Sequence, residues 1–492
     1  MKTNSKYNLE VIAKNAMLER GFIPDFPPAA LQQAEALKEP PLPIPGLDAK
    51  DLRKLLWFSL DNDDSRDLDQ LTYAEKLPNG IYKIYVAVAC VDFLVHKQTP
   101  IDNRAANNTT SIYTPTKIFP MLPEKLSTDL TSLNPGKDRV SMVFEGTLSL
   151  DGTLQTYSVY LAYVHNYAQL AYDNVSNWLD GAPLPEKIDH IEGLEEQIRL
   201  QDSIAQTLAK LRHTLGALSL ETIEPHTVLA NGTPVAIDLM PKNRGRLLIE
   251  NFMIVANTIS ARFADANKLA FLRRVVVVPK RWDKIIEVAK EHGTELPEMP
   301  NSIALEKFLV KQKETEPDTF PDLSLTIIKL LGSGEYRIIY PGITSPGHFG
   351  LALRDYTHST APNRRFPDLI VQRILLAVLK KQEMPYSQKE LEAIAVQCTQ
   401  KEDEADKVER RMRKSAAALV LSRDIGKEFD AIVTGTGEKG NWVRILTPPV
   451  DGKLIKGETS VDVGDKIRVK LVSTDVLNGY IDFIESKTSK SR

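Results

Sequence analysis

At 492 residues the chain is long enough for about three domains, or for one large catalytic domain with smaller additions. With 42% hydrophobic and 26% charged residues it has the make-up of a globular protein that buries a sizeable core. The net charge of −3 excludes a global basic field, so any nucleic-acid binding has to come from local patches. Two cysteines, Cys90 and Cys398, exclude a disulfide framework and a zinc site of paired cysteines, and fit a reducing compartment. The first twenty residues have no apolar core or small-residue cleavage site of a signal peptide. No stretch approaches the roughly 18 apolar residues of a membrane span. The expectation is a cytoplasmic monomer with no membrane or disulfide partner.

Residues 8–20 carry apolar side chains at helical spacing, and FIPDFPPAALQQAEAL after them reads as a Pro-broken second helix. EPPLPIPG (39–46) has four prolines in eight residues and reads as an extended linker, placing a boundary near 50. Strand-like runs follow at 55–60, 81–91, 139–150 and 154–164, with NG and DG turns at 79–80 and 151–152. Helix-like runs occupy 193–216, 246–267, 281–293 and 366–381. This mixture predicts an α+β catalytic domain over 51–385. Residues 386–425 read as helical and include the basic run ERRMRK (409–414). Residues 426–486 hold about five short strands separated by Gly/Asp turns, the rhythm of a five-stranded OB-fold β-barrel, before a basic tail at 487–492. GTGEKG (435–440) lacks the GK[ST] ending and the following helix of a phosphate loop, and reads as a turn between strands.

The unusual segment is DNDDSRDLDQ (61–70), five aspartates in ten residues between two apolar runs. Crowded carboxylates repel, so such a turn is either fully solvated or balanced by cations. Asp61, Asp67 and Asp69 form D-x5-D-x-D, which a folded loop can bring to one point, and Leu68 between the last two suits an extended piece anchored inward. Hard oxygen ligands of this kind suit Mg²⁺, with Mn²⁺ as an alternative, rather than an EF-hand Ca²⁺ site, whose loop glycine and closing Glu are absent.

This segment resembles the catalytic D-x5-D-x-D-D motif of the ribonuclease II / ribonuclease R (RNB) family. Four further segments resemble family motifs in the right order. IDNRAANNTTSIYTPTKIFPMLPEKLSTDLTSLNPGKDR (101–139) is similar to the region around PMLP…L…SLNPG…R, and LAYDNVSNWL (170–179) to the helix after it. LLIENFMIVAN (247–257) resembles LIEEFM..AN, and GHFGLALRDYTHSTAPNRRFPDLIVQR (347–373) resembles YTHFTSPIRRYPDLIVHR. The terminal barrel sits where the family carries an RNA-binding OB fold. About 50 residues precede the catalytic domain, too few for the two cold-shock domains usual in the family, so grip on RNA is expected to depend more on the C-terminal barrel.

The resemblance implies a Mg²⁺-dependent 3′→5′ exoribonuclease that hydrolyses single-stranded RNA to nucleoside monophosphates. It implies metal binding by Asp61, Asp67, Asp69 and Gln70, with Asp69 and Arg364 catalytic and Arg364 clamping the scissile phosphate. Tyr113, Tyr172, Glu250, Asn251 and Arg365 would contact RNA, the tyrosines by stacking on the last bases. Six departures stand out. Gln70 replaces the fourth aspartate, Cys90 replaces an Asp, Asn251 replaces the second Glu of the EE pair, and Ala361, Asn363 and Gln372 alter the last block. The alternative expectation is a catalytically impaired RNB-fold protein that binds RNA or regulates.

Overall fold

A computed structural model describes residues 7–222, 225–239, 243–317, 319–437, 440–456, 461 and 463–486. The tail at 487–492 and part of GTGEKG lie outside the described residues. Helix α1 (Leu9–Glu19) begins where the Asn8 side chain accepts the N–H groups of Glu10 and Val11. Helix α2 (Pro28–Ala36) starts on a proline, whose missing donor costs nothing in a first turn. The strands β1 (Lys50–Asp51), β2 (Trp57–Asp61), β3 (Gln70–Lys76) and β4 (Tyr82–Ala89) follow. After helix α3 (Pro100–Asn108) come the short hairpin β5 (Ile112–Tyr113) and β6 (Ile118–Phe119), then β7 (Asp138–Leu148) and β8 (Leu154–Ala171).

Strand β8 organises this sheet. It is 18 residues long; its first part pairs antiparallel with β7 and its last part runs parallel to β2. Because β2 also pairs with β3, β3 with β4 and β4 with β7, the ladder returns on itself. A strand ending at 164 would leave the ladder open. The continuation HNYAQLA is more polar than a buried strand, and Asn166 is tied down by donating to the Leu133 carbonyl (2.7 Å) and the Ser59 hydroxyl (3.2 Å). Strand β3 also escapes the sequence reading, because its polar start merges with the acidic run. One apolar cluster (Trp57, Leu68, Leu71, Ala87, Val143, Val164) fills one side of the sheet, and the larger core under the helices fills the other.

The helical half comprises α4 (Tyr172–Leu179), α5 (Glu186–Asp189), α6 (Leu194–Thr214), the hairpin β9 (Pro225–Ala230) and β10 (Thr233–Leu239), and α7 (Arg244–Ala266). By length and composition α7 is apolar enough to cross a membrane, but 72% of that apolar window is buried here against the sheet. Next come β11 (Phe271–Val275), α8 (Trp282–Glu291), α9 (Ser302–Thr315), α10 (Phe320–Leu331), β12 (Glu335–Ile339) and α11 (Phe366–Leu379). The hairpin β9–β10, the pair β11–β12 and helices α9 and α10 have no counterpart in the sequence reading. Helix α12 (Gln388–Leu421) runs 34 residues from a capping box of Ser387 and Glu390. It carries the closed barrel of β13 (Glu428–Gly435), β14 (Asn441–Ile445), β15 (Val450–Lys456), β16 (Lys466–Asp475) and β17 (Tyr480–Glu485).

The N-terminal segment packs on the molecule rather than standing clear of it. Leu9, Ile12, Ala16 and Met17 of α1 share one apolar cluster with Val408 and Met412 of α12 and with the barrel core. Removing 426–492 would therefore expose the faces of two helices, so deletion tests folding as much as RNA grip.

Beneath α11 lies an aromatic cluster in which the Tyr336 hydroxyl and His358 Nδ1 are 2.8 Å apart and His348 stacks edge-on with Tyr356. Burial, then Arg274 nearby, pushes His348 down to about 4, and burial holds His358 well below its usual range. These imidazoles are neutral in the fold but take up protons in the unfolded chain below about 6.5. Stability is therefore present above pH 6.5 and falls as pH drops toward 4. His348→Gln is expected to flatten that decline, by at most about 3 kcal/mol across the window, in denaturant unfolding followed from pH 7.5 to 4.5.

Candidate active site

The ends of β2 (Asp61), β4 (Ala89) and β8 (Ala171) and the start of β3 (Gln70) meet at one end of the closed ladder. The acidic loop lies across that end. Asp61 Oδ1 accepts from the Asn62 N–H (2.7 Å) and the Ser65 hydroxyl (3.0 Å), which tightens the first turn. Leu68, buried as its alternation predicts, is pinned on both sides: its N–H donates to Ser132 Oγ and its carbonyl accepts from Leu133, each at 2.9 Å. TSLNPG thus serves as the clamp for the acidic loop. Asp63 and Asp64 are exposed, while Asp69 is buried.

Asp69 receives the backbone N–H of Asn363 on Oδ1 (3.0 Å), and Arg364 Nε stands 3.5 Å from Oδ2. Oδ2 itself is buried without a hydrogen-bond partner. Burial pushes this carboxyl up to about 8; Asp67 adds to the rise, and Arg364 opposes it. Asp67 is also raised, first by burial and then by Asp61, against the pull of its own backbone, Arg364 and a hydrogen bond from Tyr113. The charges that weigh most on Asp69 are those of Arg364, Asp67 and Asp368.

Arg364 is delivered by a strand-like crossing. Thr110 pairs antiparallel with Arg365, the Arg364 carbonyl accepts from the Ser111 N–H (2.9 Å), and the Phe366 N–H donates to Thr109 (2.8 Å). The same crossing places Tyr113, whose hydroxyl is pushed up by burial and by Asp67, Asp69 and Asp61 against the pull of Arg364. Tyr172 opens α4 directly after Ala171, the partner of Asp61 in the ladder, and burial followed by Asp61 pushes its hydroxyl up. Tyr113 is 37% exposed although its hydroxyl end is enclosed beside Asp67, and Tyr172 is half-buried, so both residues flank the acidic loop with accessible surface.

The remaining predicted residues are placed differently. Arg365 donates to Asp368 (2.7 Å), whose other contact is the Ala361 N–H (2.9 Å); it braces the turn that presents Arg364. Asn251 is buried, accepting from Arg212 Nε (3.1 Å) and donating to the Leu247 carbonyl (2.8 Å), so it supports α7 internally. Glu250 is exposed and pairs with Arg212 at 3.3 Å. Cys90 is buried in the main core, with Lys380 and Asp92 as its charged neighbours, so it removes no carboxylate from the site. Gln372 bonds to both the Asp92 N–H (3.2 Å) and the Ala89 carbonyl (2.8 Å), fixing the end of β4. Gln70, paired with Val88 in the ladder, begins β3 next to Asp69.

Asn363, named in the sequence only as a departure, and two residues that sequence reasoning passed over stand at the site. Asn363 supplies the N–H that holds Asp69, while its side chain accepts from the Thr131 hydroxyl (2.5 Å). Arg246, in the first turn of α7, donates to Asn62 (2.7 Å) with its guanidinium 5.0 Å from the Tyr172 ring centre. Gly245 lets this turn approach, since a Cβ there would stand 2.9 Å from the Tyr172 carbonyl oxygen. The capping Asn243 before an RGR run is the sequence signal that could have found Arg246.

Among the described residues, no three His, Cys, Asp or Glu side chains stand close enough to enclose an ion alone. The residues nevertheless fit a divalent cation. A buried carboxylate oxygen has no hydrogen-bond partner, and burial pushes two neighbouring carboxyls up, with Asp67 adding to the rise of Asp69 and Asp61 to that of Asp67, against the pull of Arg364. Mg²⁺ completes its shell with waters and phosphate oxygens when few carboxylates are offered.

Comparison with known proteins agrees with this arrangement. The RNB domain family profile matches residues 49–381, and that of the RNase II-type exonuclease C-terminal S1 domain matches 427–485. Ribonuclease R of Escherichia coli (strain K12) is 31% identical over 503 residues, covering 93% of this chain and 60% of its own length. The chain thus spans 60% of that curated relative. Mycoplasma genitalium RNase R, solved in complex with ribose methylated single-stranded RNA, superposes with a TM-score of 0.87 at 25% identity, over 97% of this chain and 78% of its own. Yeast Ssd1, described as a pseudonuclease, shares the fold with a TM-score of 0.73 at 16% identity, covering 94% of this chain and 57% of its own. With the RNB match covering most of its length and an S1-type barrel closing its C-terminal side, this chain belongs to the RNB domain family.

Proposed function

We propose that the chain is a 3′→5′ exoribonuclease that hydrolyses single-stranded RNA to nucleoside monophosphates with Mg²⁺, or alternatively Mn²⁺. The observation that carries this reading is the pairing of a buried, under-compensated Asp69 with a forked cation, Arg364, at the end of the ladder. A divalent ion held by Asp61, Asp67 and Asp69, with the Gln70 amide beside them, would supply charge neutralisation and an activated water. The chain's own groups do the rest. Arg364, with 41% of its side chain exposed, donates from a planar fork to the phosphate where charge develops. The N-terminus of α11 behind it adds partial positive charge. Tyr113 and Tyr172 offer stacking surfaces for the terminal bases, tolerant of their identity.

The test is incubation with 5′-labelled and 3′-labelled single-stranded RNA, with Mg²⁺ or Mn²⁺ and then with EDTA. Metal-dependent shortening from the 3′ end supports the enzyme; retention of intact RNA in every arm supports the impaired RNA-binding alternative. Gln70→Asp adds the fourth carboxylate. It is expected to raise metal affinity about 10–100-fold, read as a larger shift of the unfolding midpoint on adding Mn²⁺. An unchanged or smaller shift means that Gln70 does not face the ion.

A further inference from the structure

A cleft of about 350 Å³ lies between α1, α12 and the turn that enters β17. Arg20, Lys407, Arg410, Arg411, Lys414 and Tyr480 line it. The proposed catalytic reading uses none of these. Their pairing is uneven. Arg20 and Lys407 both bond to Glu404, and Arg411 bonds to Glu19 at 2.6 Å. Arg410 and Lys414 form no hydrogen bond or ion pair among the described residues. Of the five cations, three are in ion pairs with two carboxylates, and Asp475, Asp406 and Asp451 act on Arg411, Arg410 and Lys414 without pairing with them. Lys414 is half-buried, and burial lowers its hold on its proton; Asp451 opposes this, while Arg410 and Lys329 add smaller amounts to it. A half-enclosed ammonium with a like-charged neighbour has an electrostatic deficit that an anion would relieve. The Tyr480 ring, 63% exposed, stands at the rim.

The cleft is a built junction. Gly479, at a φ of +70°, brings the barrel turn against α12 so closely that a Cβ there would meet Lys414 Cβ at 2.8 Å and the Arg411 carbonyl at 3.1 Å. Arg411 in turn donates to the Leu477 carbonyl at 3.2 Å. On α12, Glu409 next to Arg410 accepts the backbone N–H of Tyr113 (2.8 Å), so the helix that lines the cleft also touches the hairpin at the acidic site.

We propose that this cleft is a second nucleic-acid site, in which Arg410 and Lys414 hold phosphodiester groups of single-stranded RNA and Tyr480 stacks one base, away from the site of cleavage. Unpaired cations beside an aromatic ring are the combination that single strands recognise without regard to sequence. The inference rests on RNA being the ligand of this chain, but not on its hydrolysis. The cleft and the acidic site therefore bind two segments of one long strand, while a four-nucleotide oligomer fills the acidic site alone.

The experiment measures binding of fluorescein-labelled single-stranded RNA of 4 and 20 nucleotides to the full chain in EDTA, with thermal unfolding in parallel. Arg410→Glu/Lys414→Glu is expected to weaken the 20-mer at least about tenfold and to lower its salt slope by about 1.4, while leaving the 4-mer unchanged. Tyr480→Ala is expected to weaken the 20-mer about tenfold with the salt slope kept. Arg410→Glu alone, on an exposed side chain, carries the test if the double variant fails to fold. Unchanged 20-mer affinity in these variants overturns the proposal, and so does an equal loss for both lengths. Length-selective loss in a chain that degrades nothing keeps the cleft and removes only the exonuclease reading.

Discussion

Asp69→Asn is expected to lower RNA hydrolysis by about a thousandfold or more while leaving the fold intact. The two halves of this expectation come from the same geometry. An asparagine keeps an oxygen for the Asn363 N–H, so the local hydrogen bond at 3.0 Å survives. What disappears is the charge on Oδ2, the atom buried without a partner beside Arg364. Burial raises this carboxyl to about 8 against an ordinary 3.8, so between those values the folded chain holds a proton that the unfolded chain releases. Folding stability contributed by Asp69 therefore falls as pH rises from about 4 to about 8, without a cation to offset it. The neutral variant escapes that penalty. Its unfolding midpoint at pH 8 should equal or exceed that of the parent in EDTA, and added Mn²⁺ should shift it less. A variant that loses activity and also melts early would mark Asp69 as a structural residue instead.

Arg364→Ala should cost about 10²–10³ in kcat, the scale of removing one donor aimed at developing charge. Arg364→Lys should recover little of it, because an ammonium offers a point charge where a guanidinium offers a fork of fixed donors. The arginine is held by its backbone, through Ser111 and the Thr110–Arg365 bridge, so its side chain can be changed without moving the crossing. Single-turnover rates and oligomer affinity separate the outcomes. A fall in rate with binding nearly kept places Arg364 at the reacting phosphate. A matching loss of binding with an unchanged single-turnover rate places it only in the grip on substrate.

The candidate site is more legible in the sequence than its scaffolding. Asp61, Asp67 and Asp69 stand out because five carboxylates in one turn demand an explanation, and Arg364 because two arginines precede a proline-started helix. The terminal barrel is legible from its short strands and Gly/Asp turns. The supporting residues are silent for physical reasons. Asn363 acts through a backbone N–H, which every residue but proline owns. Ser132 clamps Leu68 from 64 positions away along the chain, and Leu133 follows it. Asn251 and Cys90 mislead in the other direction. Each replaces a carboxylate in a motif, yet one is absorbed by Arg212 and the other by the apolar core, so position in a motif does not equal position in the site. Strand β8 is under-read because its second half alternates weakly and gains its order from the parallel partner β2, a contact with no local signature.

The hydrogen bond from Tyr113 to Glu409 fixes a phase relation between two distant parts of the molecule. Each residue of an α-helix turns its successor by about 100° and advances it about 1.5 Å. The twelve residues of α12 beyond Glu409 therefore set the compass bearing of the barrel with respect to the aromatic ring at the acidic loop. One residue added in that span would swing the barrel roughly a quarter-turn, whereas seven would bring it back to nearly the same heading two turns further out. Chains of this architecture can thus change length in α12 by whole turns, and single-residue drift there is as consequential as a substitution among the aspartates.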